Sequence, residues 1–311
     1  MRPVPQKVIW LLQYVAVRVV EMVLRCFPIK ANLATARYAG DVLYVLDRRH
    51  RKVALGNLRA SFPGASEKTI RRVARQSFEH MIMVGAEFLC MPRLTHFNAF
   101  TRCVEFGPRL EDALGLFASK RPCIIAGAHF GNWEVAAYML ASMGTPPTSV
   151  GRPLDNPYLD RHVRTLREKT GQKILSKFGM TGEAIDRLRE GAILAFPADQ
   201  DAGRRGFFVE FFGRKASAYK SIAYLALEEG VPIVVGGAYR TERLSVFRAM
   251  VTDIIDPTEY EEGVDAAIAI TQRYTKALER LICYAPEQYL WVHRRWKTRP
   301  PEERKAKAKA R

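Results

Sequence analysis

At 311 residues the chain has room for one large α/β domain or two small ones, and a hydrophobic share of 48% fits a globular protein with a full core. The net charge of +17 calls for acidic partners (nucleic acid, an anionic membrane face, a phosphorylated lipid or an acidic carrier protein) without choosing among them. The five cysteines are scattered and include no Cys-x-x-Cys; they read as reduced residues in a cytosolic environment rather than a disulfide framework, and with six dispersed histidines they indicate no metal site.

Residues 8–27 are largely apolar, and at ~1.5 Å per residue a helix of that length is about long enough to cross a bilayer core. Arg18, Glu21 and Arg25 interrupt it at helical spacing and share one face with Tyr14. The pattern is an amphipathic helix with a narrow charged stripe, lying in the interface or embedded with the stripe against protein or headgroups, or packed on its own domain. It is a poor signal peptide. Three helices follow, over 33–46, 48–60 and 66–89, the second stopped by Phe62-Pro63-Gly64. Arg48, Arg49, Arg51, Lys52, Arg59, Arg71, Arg72 and Arg75 make this region basic: by default solvated helix faces, functionally a surface for lipid phosphates or an acidic carrier.

A fold of class α/β then begins, a mostly parallel central sheet flanked by helices. A strand over 104–106 and a helix over 109–118 lead to Cys123-Ile124-Ile125-Ala126-Gly127, an apolar run without alternation and so a strand buried on both faces. The chain continues Ala128-His129-Phe130-Gly131-Asn132-Trp133-Glu134 into a helix, with Asn132 as its cap and Glu134 in its first turn. His129 thus stands at a strand C-terminus, where open α/β sheets bind ligands. With a carboxylate on its Nδ1–H side, its Nε2 can take a proton from a hydroxyl. The bland alternative is a strand-end histidine bonding a loop. No Gly-x-Ser-x-Gly elbow is present, so the nucleophile is brought by the substrate.

Residues 146–151 read as the next strand, delivering Arg152-Pro153-Leu154-Asp155-Asn156-Pro157 to the ligand side. An arginine there can hold a phosphate or a carbonyl developing charge. Arg164, in the following helix with Arg161 and Arg167, is a second candidate, or simply pairs with Asp160 or Glu168. The strand over 192–196 runs into Pro197-Ala198-Asp199-Gln200-Asp201, which can bind a metal, polarise a base or form a polar turn. Phe207, Phe208, Phe211 and Phe212 are core, or an apolar channel for an acyl chain, or both. A helix over 217–229, a central strand over 231–239, an antiparallel edge strand over 245–251 and a long helix over 264–284 complete the pattern. His293 is a possible second base, or a packed histidine in a basic aromatic cluster. The basic tail, 299–311, reads as disordered and membrane-seeking. There are no repeats, no P-loop and no dinucleotide fingerprint.

His-x4-Glu at His129–Glu134, and above all the string His-Phe-Gly-Asn-Trp-Glu, resembles the motif of the glycerolipid acyltransferase superfamily in its lipid A biosynthesis branch. Similar segments lie at 57–63, 152–157, 196–213 and 289–297, and Phe-Pro-Ala-Asp-Gln-Asp replaces the Phe-Pro-Glu-Gly-Thr-Arg-like stretch of the glycerol-phosphate enzymes. The resemblance implies a membrane-anchoring helix over 1–30, a catalytic domain over 31–298 and the tail over 299–311. It implies transfer of a fatty acyl group from an acyl carrier protein thioester to a hydroxyl of a lipid A precursor, a phosphorylated glycolipid, on the cytoplasmic face of the inner membrane. His129 would be the base and Glu134 would orient it, with no covalent intermediate, no cofactor and no metal. Arg152 or backbone amides would stabilise the oxyanion. Asn156, Arg164, Asp199 and Asp201 would contribute to the substrate site, and the four phenylalanines to the acyl pocket. Rivals are the same chemistry on another glycolipid or an amino-acid lipid, and a non-catalytic basic protein binding membranes or nucleic acid.

Overall fold

The structure, a computed structural model, describes residues 5–94, 103–176, 179, 181–243, 245–261 and 263–303. Four helices come first: α1 (Gln6–Cys26), α2 (Ile29–Leu46), α3 (Arg48–Ser61) and α4 (Glu67–Leu94). The α/β part then runs β1 (Val104–Phe106), α5 (Leu110–Ala118), β2 (Cys123–Gly127), α6 (Trp133–Ser142), β3 (Thr148–Gly151), α7 (Pro157–Glu168), β4 (Lys173–Ser176), α8 (Thr181–Arg189) and β5 (Ile193–Pro197). A hairpin, β6 (Phe207–Phe211) and β7 (Arg214–Ala218), precedes α9 (Ser221–Glu229), β8 (Ile233–Arg240), β9 (Phe247–Ile255) and α10 (Val264–Cys283).

The main sheet has seven strands in the order β1-β9-β8-β2-β5-β3-β4. β8, β2, β5, β3 and β4 run parallel, β9 is antiparallel to β8, and β1 is parallel to β9. The mostly parallel sheet matches expectation, but β9 is not an edge, because β1 pairs outside it. Along β2 the side chains alternate between layers. Ile124 and Ala126 enter the large core with α3, α4, α9 and α10; Cys123 and Ile125 face α5 and α6. Both faces are therefore apolar, which is why the strand shows no polar alternation.

Residues 217–229 do not form one helix. Ser217 and Ala218 belong to β7, and the helix starts at Ser221. The hairpin turn is Phe212-Gly213, both residues at positive φ (50° and 68°). Such a two-residue turn is signalled by Asn-Gly or Asp-Gly, and a phenylalanine in its first position hides it.

Helix α1 turns Tyr14 and Glu21 of its charged stripe inward, with Arg18 and Arg25 exposed at its margin. Glu21 is buried and accepts from Arg25 at 2.5 Å and faces His162 Nε2 of α7 at 3.0 Å. Tyr14 packs on Tyr158 and His162, and Asn156 Nδ2 donates to Trp10 O and Gln13 Oε1, both at 2.9 Å. The apolar side is left exposed, including Leu11, Leu12, Val15, Val19, Val20, Met22 and Val23. Among the described residues no helix is long and apolar enough to cross a membrane. Of the expected basic tail, residues 304–311 lie outside the described residues; Arg299 is held by Glu303 and by Lys215 O.

Candidate active site

Strand register builds the centre. Gly127 of β2 pairs with Pro197 of β5, and Ala198 N donates to Gly127 O at 2.8 Å, so the residues two beyond each strand end stand side by side. These are His129 and Asp199. The carboxylate takes two hydrogen bonds, from His129 Nδ1 at 2.9 Å and from His129 N at 3.0 Å. A carboxylate only accepts, so Nδ1 carries a proton, and in the neutral ring the lone pair is on Nε2. The ring sits between Trp133 and His293, with centroids 5.1 and 4.7 Å away. Burial works against the imidazolium, but the Asp199 charge and hydrogen bond outweigh it, with a further contribution from Glu134, and the pKa of His129 is raised. Burial likewise opposes the Asp199 carboxylate, yet His129 holds it well below the usual range. His293 moves the other way, lowered by burial and by the nearby charge of His129.

The turn after His129 is built for glycine. Gly131 has φ +57°, and a Cβ there would stand 2.1 Å from Ala238 O. Asn132 then caps α6 as expected, its side-chain oxygen accepting from Glu134 N at 3.1 Å and Val135 N at 3.0 Å.

Glu134 does not hold the His129 ring, contrary to the sequence expectation. Its carboxylate takes a fork from Arg167 of α7, Nε at 3.0 Å and Nη2 at 2.5 Å, and a bond from Trp133 Nε1 at 3.2 Å. Sequence proximity to His129 decides nothing here: the first turn of α6 points this side chain toward α7, while the register of β2 with β5 brings Asp199 to Nδ1. Arg167 passed in the sequence as one more basic residue of its helix. A signal was available, since Asp160, Val163, Arg164 and Arg167 recur at helical spacing and all line the cleft.

That cleft has a volume of about 660 Å³ and opens beside His129. Its apolar wall includes Ile125, Ala136, Leu140, Val150, Val163 and Ile174. Arg152 is on its rim, exposed and paired with Asp155. Arg164 lines it too, but is engaged with Asp160 at 2.8 Å, the i,i+4 pair that its spacing allowed.

Other expected site residues lie away from the cleft. Asn156 is buried as the cap of α7 and the anchor of α1. Asp201 accepts from Thr298 Oγ1 at 2.8 Å, and its Oδ1 is buried with no hydrogen-bond partner among the described residues. None of Phe207, Phe208, Phe211 and Phe212 lines the cleft. The hairpin packs against α10, and Phe211 and Phe212 stack among Trp296, Trp291 and Phe62; with Phe207 they belong to the core, while Phe208 is half-buried on the other face of the strand. The ligand atoms of His129, Asp199 and His293 all lie within 4.8 Å of one another, close enough for a cation to bridge. Both Asp199 oxygens are already engaged by His129.

The sheet thus carries a carboxylate-held histidine at the mouth of a cleft whose wall is largely apolar. The model of the bacterial lipid A biosynthesis acyltransferases matches residues 5–298. The chain is 29% identical over 255 residues to the lipid A biosynthesis lauroyltransferase of Escherichia coli K12, covering 81% of each. It is 26% identical over 269 residues to the palmitoleoyltransferase of the same organism, covering 82% of this chain and 81% of that one. It is 24% identical over 290 residues to the myristoyltransferase, covering 89% and 82%. The protein belongs to the bacterial lipid A biosynthesis acyltransferase family, and it is an acyltransferase.

Proposed function

We propose that the protein carries out a late acylation of lipid A, moving a fatty acyl chain from an acyl carrier protein thioester to a hydroxyl of a phosphorylated lipid A precursor. The observation that carries the reading is the Nε2 lone pair of His129, left free by the bond of Nδ1 to Asp199 and standing at the mouth of the cleft. Nε2 takes the proton of the acceptor hydroxyl as its oxygen attacks the thioester carbonyl. The tetrahedral adduct collapses, the C–S bond breaks, and the imidazolium returns the proton to the departing thiolate. No enzyme-bound acyl group is formed. Such general-base help contributes about 10²–10⁴ in rate.

The cleft beside His129 receives the acyl chain, and exposed Arg152 at its rim meets a phosphate or the developing oxyanion. The net charge of +17 favours both an acidic carrier and a phosphorylated glycolipid. Exposed apolar residues of α1, with Tyr38, Val42, Val45 and Leu46 of α2 and the exposed Arg48, Arg49 and Lys52 beyond them, favour a seat on the cytoplasmic face of the inner membrane. The relatives named above carry different acyl groups, so chain length is not inherited with the family.

The test is acyl transfer from acyl carrier protein to purified lipid A precursor, followed by mass spectrometry, with His129→Ala as the comparison. The expected result is one added acyl group, lost in His129→Ala with vesicle binding intact. Undiminished transfer by His129→Ala overturns the mechanism.

A further inference from the structure

The main chain that carries His129 into α6 is held from several sides. His129 O accepts from Leu290 N at 3.0 Å, Gly131 N donates to Gln288 O at 2.9 Å, and Asn132 N donates to Ala238 O at 2.7 Å. The carbonyl of Gly131 is taken by a side chain, His80 Nε2 of α4, at 2.8 Å.

His80 is itself fixed. Its Nδ1 faces Arg240 Nη1 at 3.1 Å, and Arg240 forks onto Glu87, Nε to Oε1 at 3.2 Å and Nη2 to Oε2 at 2.5 Å. Glu87 Oε2 also accepts from Asn132 Nδ2 at 2.7 Å. Gln288 closes the unit, accepting from Arg240 N at 2.9 Å and donating to Arg240 O at 2.7 Å. His80 and Glu87 are two helical turns apart on one face of α4, and His80, Glu87, Asn132 and Arg240 are each less than a tenth exposed.

Arginine only donates, so Nδ1 of His80 is the acceptor and Nε2 the donor, a neutral ring in one tautomer. Burial and the Arg240 charge push its pKa down to about 3, which keeps it neutral. A buried ion pair is a weak stabiliser, and apolar side chains of like volume often do as well. What they cannot do is bond the carbonyl of a left-handed turn. His80 bonds the turn directly, Glu87 reaches it through Asn132, and Arg240 ties the two together.

We infer that His80, locked by Arg240 and Glu87, is a positioning residue: its bond to Gly131 O sets the turn that holds the His129 imidazole against Asp199. Only the kinetic half of the test rests on the acyl-transfer reading.

The experiment compares His80→Phe, which keeps a ring but loses both bonds, with His80→Gln, whose amide nitrogen and oxygen reproduce the donor and acceptor. The pKa of His129 is followed by NMR of labelled histidine rings, its signal assigned with His129→Asn, while its own neighbours Asp199, Glu134 and His293 stay untouched. In His80→Phe the His129 pKa is expected to fall by about one unit as the Asp199 contact loosens. The kcat for acyl transfer should fall about 10²-fold at unchanged KM. His80→Gln should restore both. An unchanged His129 pKa in a folded His80→Phe overturns the inference, as does a kcat loss that His80→Gln fails to rescue. Should His80→Phe not fold, Glu87→Gln is read in its place: a lowered His129 pKa supports the clamp and an unshifted one overturns it. A lowered pKa in a protein that transfers no acyl group sinks the acyl-transfer reading and leaves the clamp standing.

Discussion

Asp199 accepts from His129 twice, at Nδ1 and at the main-chain N–H, 2.9 and 3.0 Å away. One contact selects the tautomer and the other sets where the ring can stand. Asparagine at 199 keeps the volume but offers an N–H where the ring needs an acceptor, so the base turns the wrong nitrogen to the cleft. Asp199→Asn is expected to lower kcat by about 10³–10⁴ with the fold retained. Steady-state kinetics beside a circular dichroism spectrum decide it, and a loss below tenfold removes Asp199 from the mechanism.

The raised pKa of His129 gives the pH profile its shape. A base must be unprotonated, so kcat/KM climbs with pH along a limb centred above ~6.5, the ordinary histidine value. Asp199→Asn should shift that limb to lower pH. Stability runs the opposite way, because a raised folded pKa means the imidazolium is bound more tightly in the folded state. The contribution of the imidazolium is complete below ~6.5, as long as Asp199 stays ionised, and is lost as pH rises through the folded pKa of His129. Urea unfolding across that window, wild type against His129→Asn, checks the sign.

Local features of this site were legible from the chain alone, and long-range ones were not. The β2 run, the Asn132 cap and the start of α6 each depend on a few neighbouring residues. The partner of Nδ1 depends on which strands pair and in what register. Asp199 lies 70 residues from His129, and no local pattern ranks it above a glutamate five residues away. The stripe of α1 could be read from its spacing, whereas its burial against His162 and Tyr158 depends on where α7 packs. The phenylalanines could be read either way because a core hairpin and an acyl channel have the same composition.

Phe211 and Ala136 separate those two possibilities. Phe211 is buried against Phe212 and Trp296, so Phe211→Ala is expected to cost about 3–5 kcal/mol with no change in acyl preference. Ala136 lines the cleft on α6, and Ala136→Phe takes space from the acyl chain instead. Its folding midpoint should change little, while preference moves to shorter thioesters. A mixed-donor competition read by mass spectrometry, with thermal unfolding of each variant, tests both, and an altered chain preference in Phe211→Ala returns the hairpin to the acyl pocket.

The exposed side of α1 makes the last prediction. Leu12 and Met22 are 62% and 61% exposed, while Tyr14 and Glu21 hold the helix to α7 from the other side. Polar residues at the two exposed positions leave those contacts intact. Leu12→Gln and Met22→Gln should therefore each weaken binding to anionic phospholipid vesicles by about tenfold, since burying a side chain of that size contributes about 1.5–3 kcal/mol. Acyl transfer to a detergent-dispersed acceptor should be unaffected. If α1 instead packs its apolar face on another protein, vesicle flotation will not distinguish the variants from wild type, and the helix is then not the membrane contact.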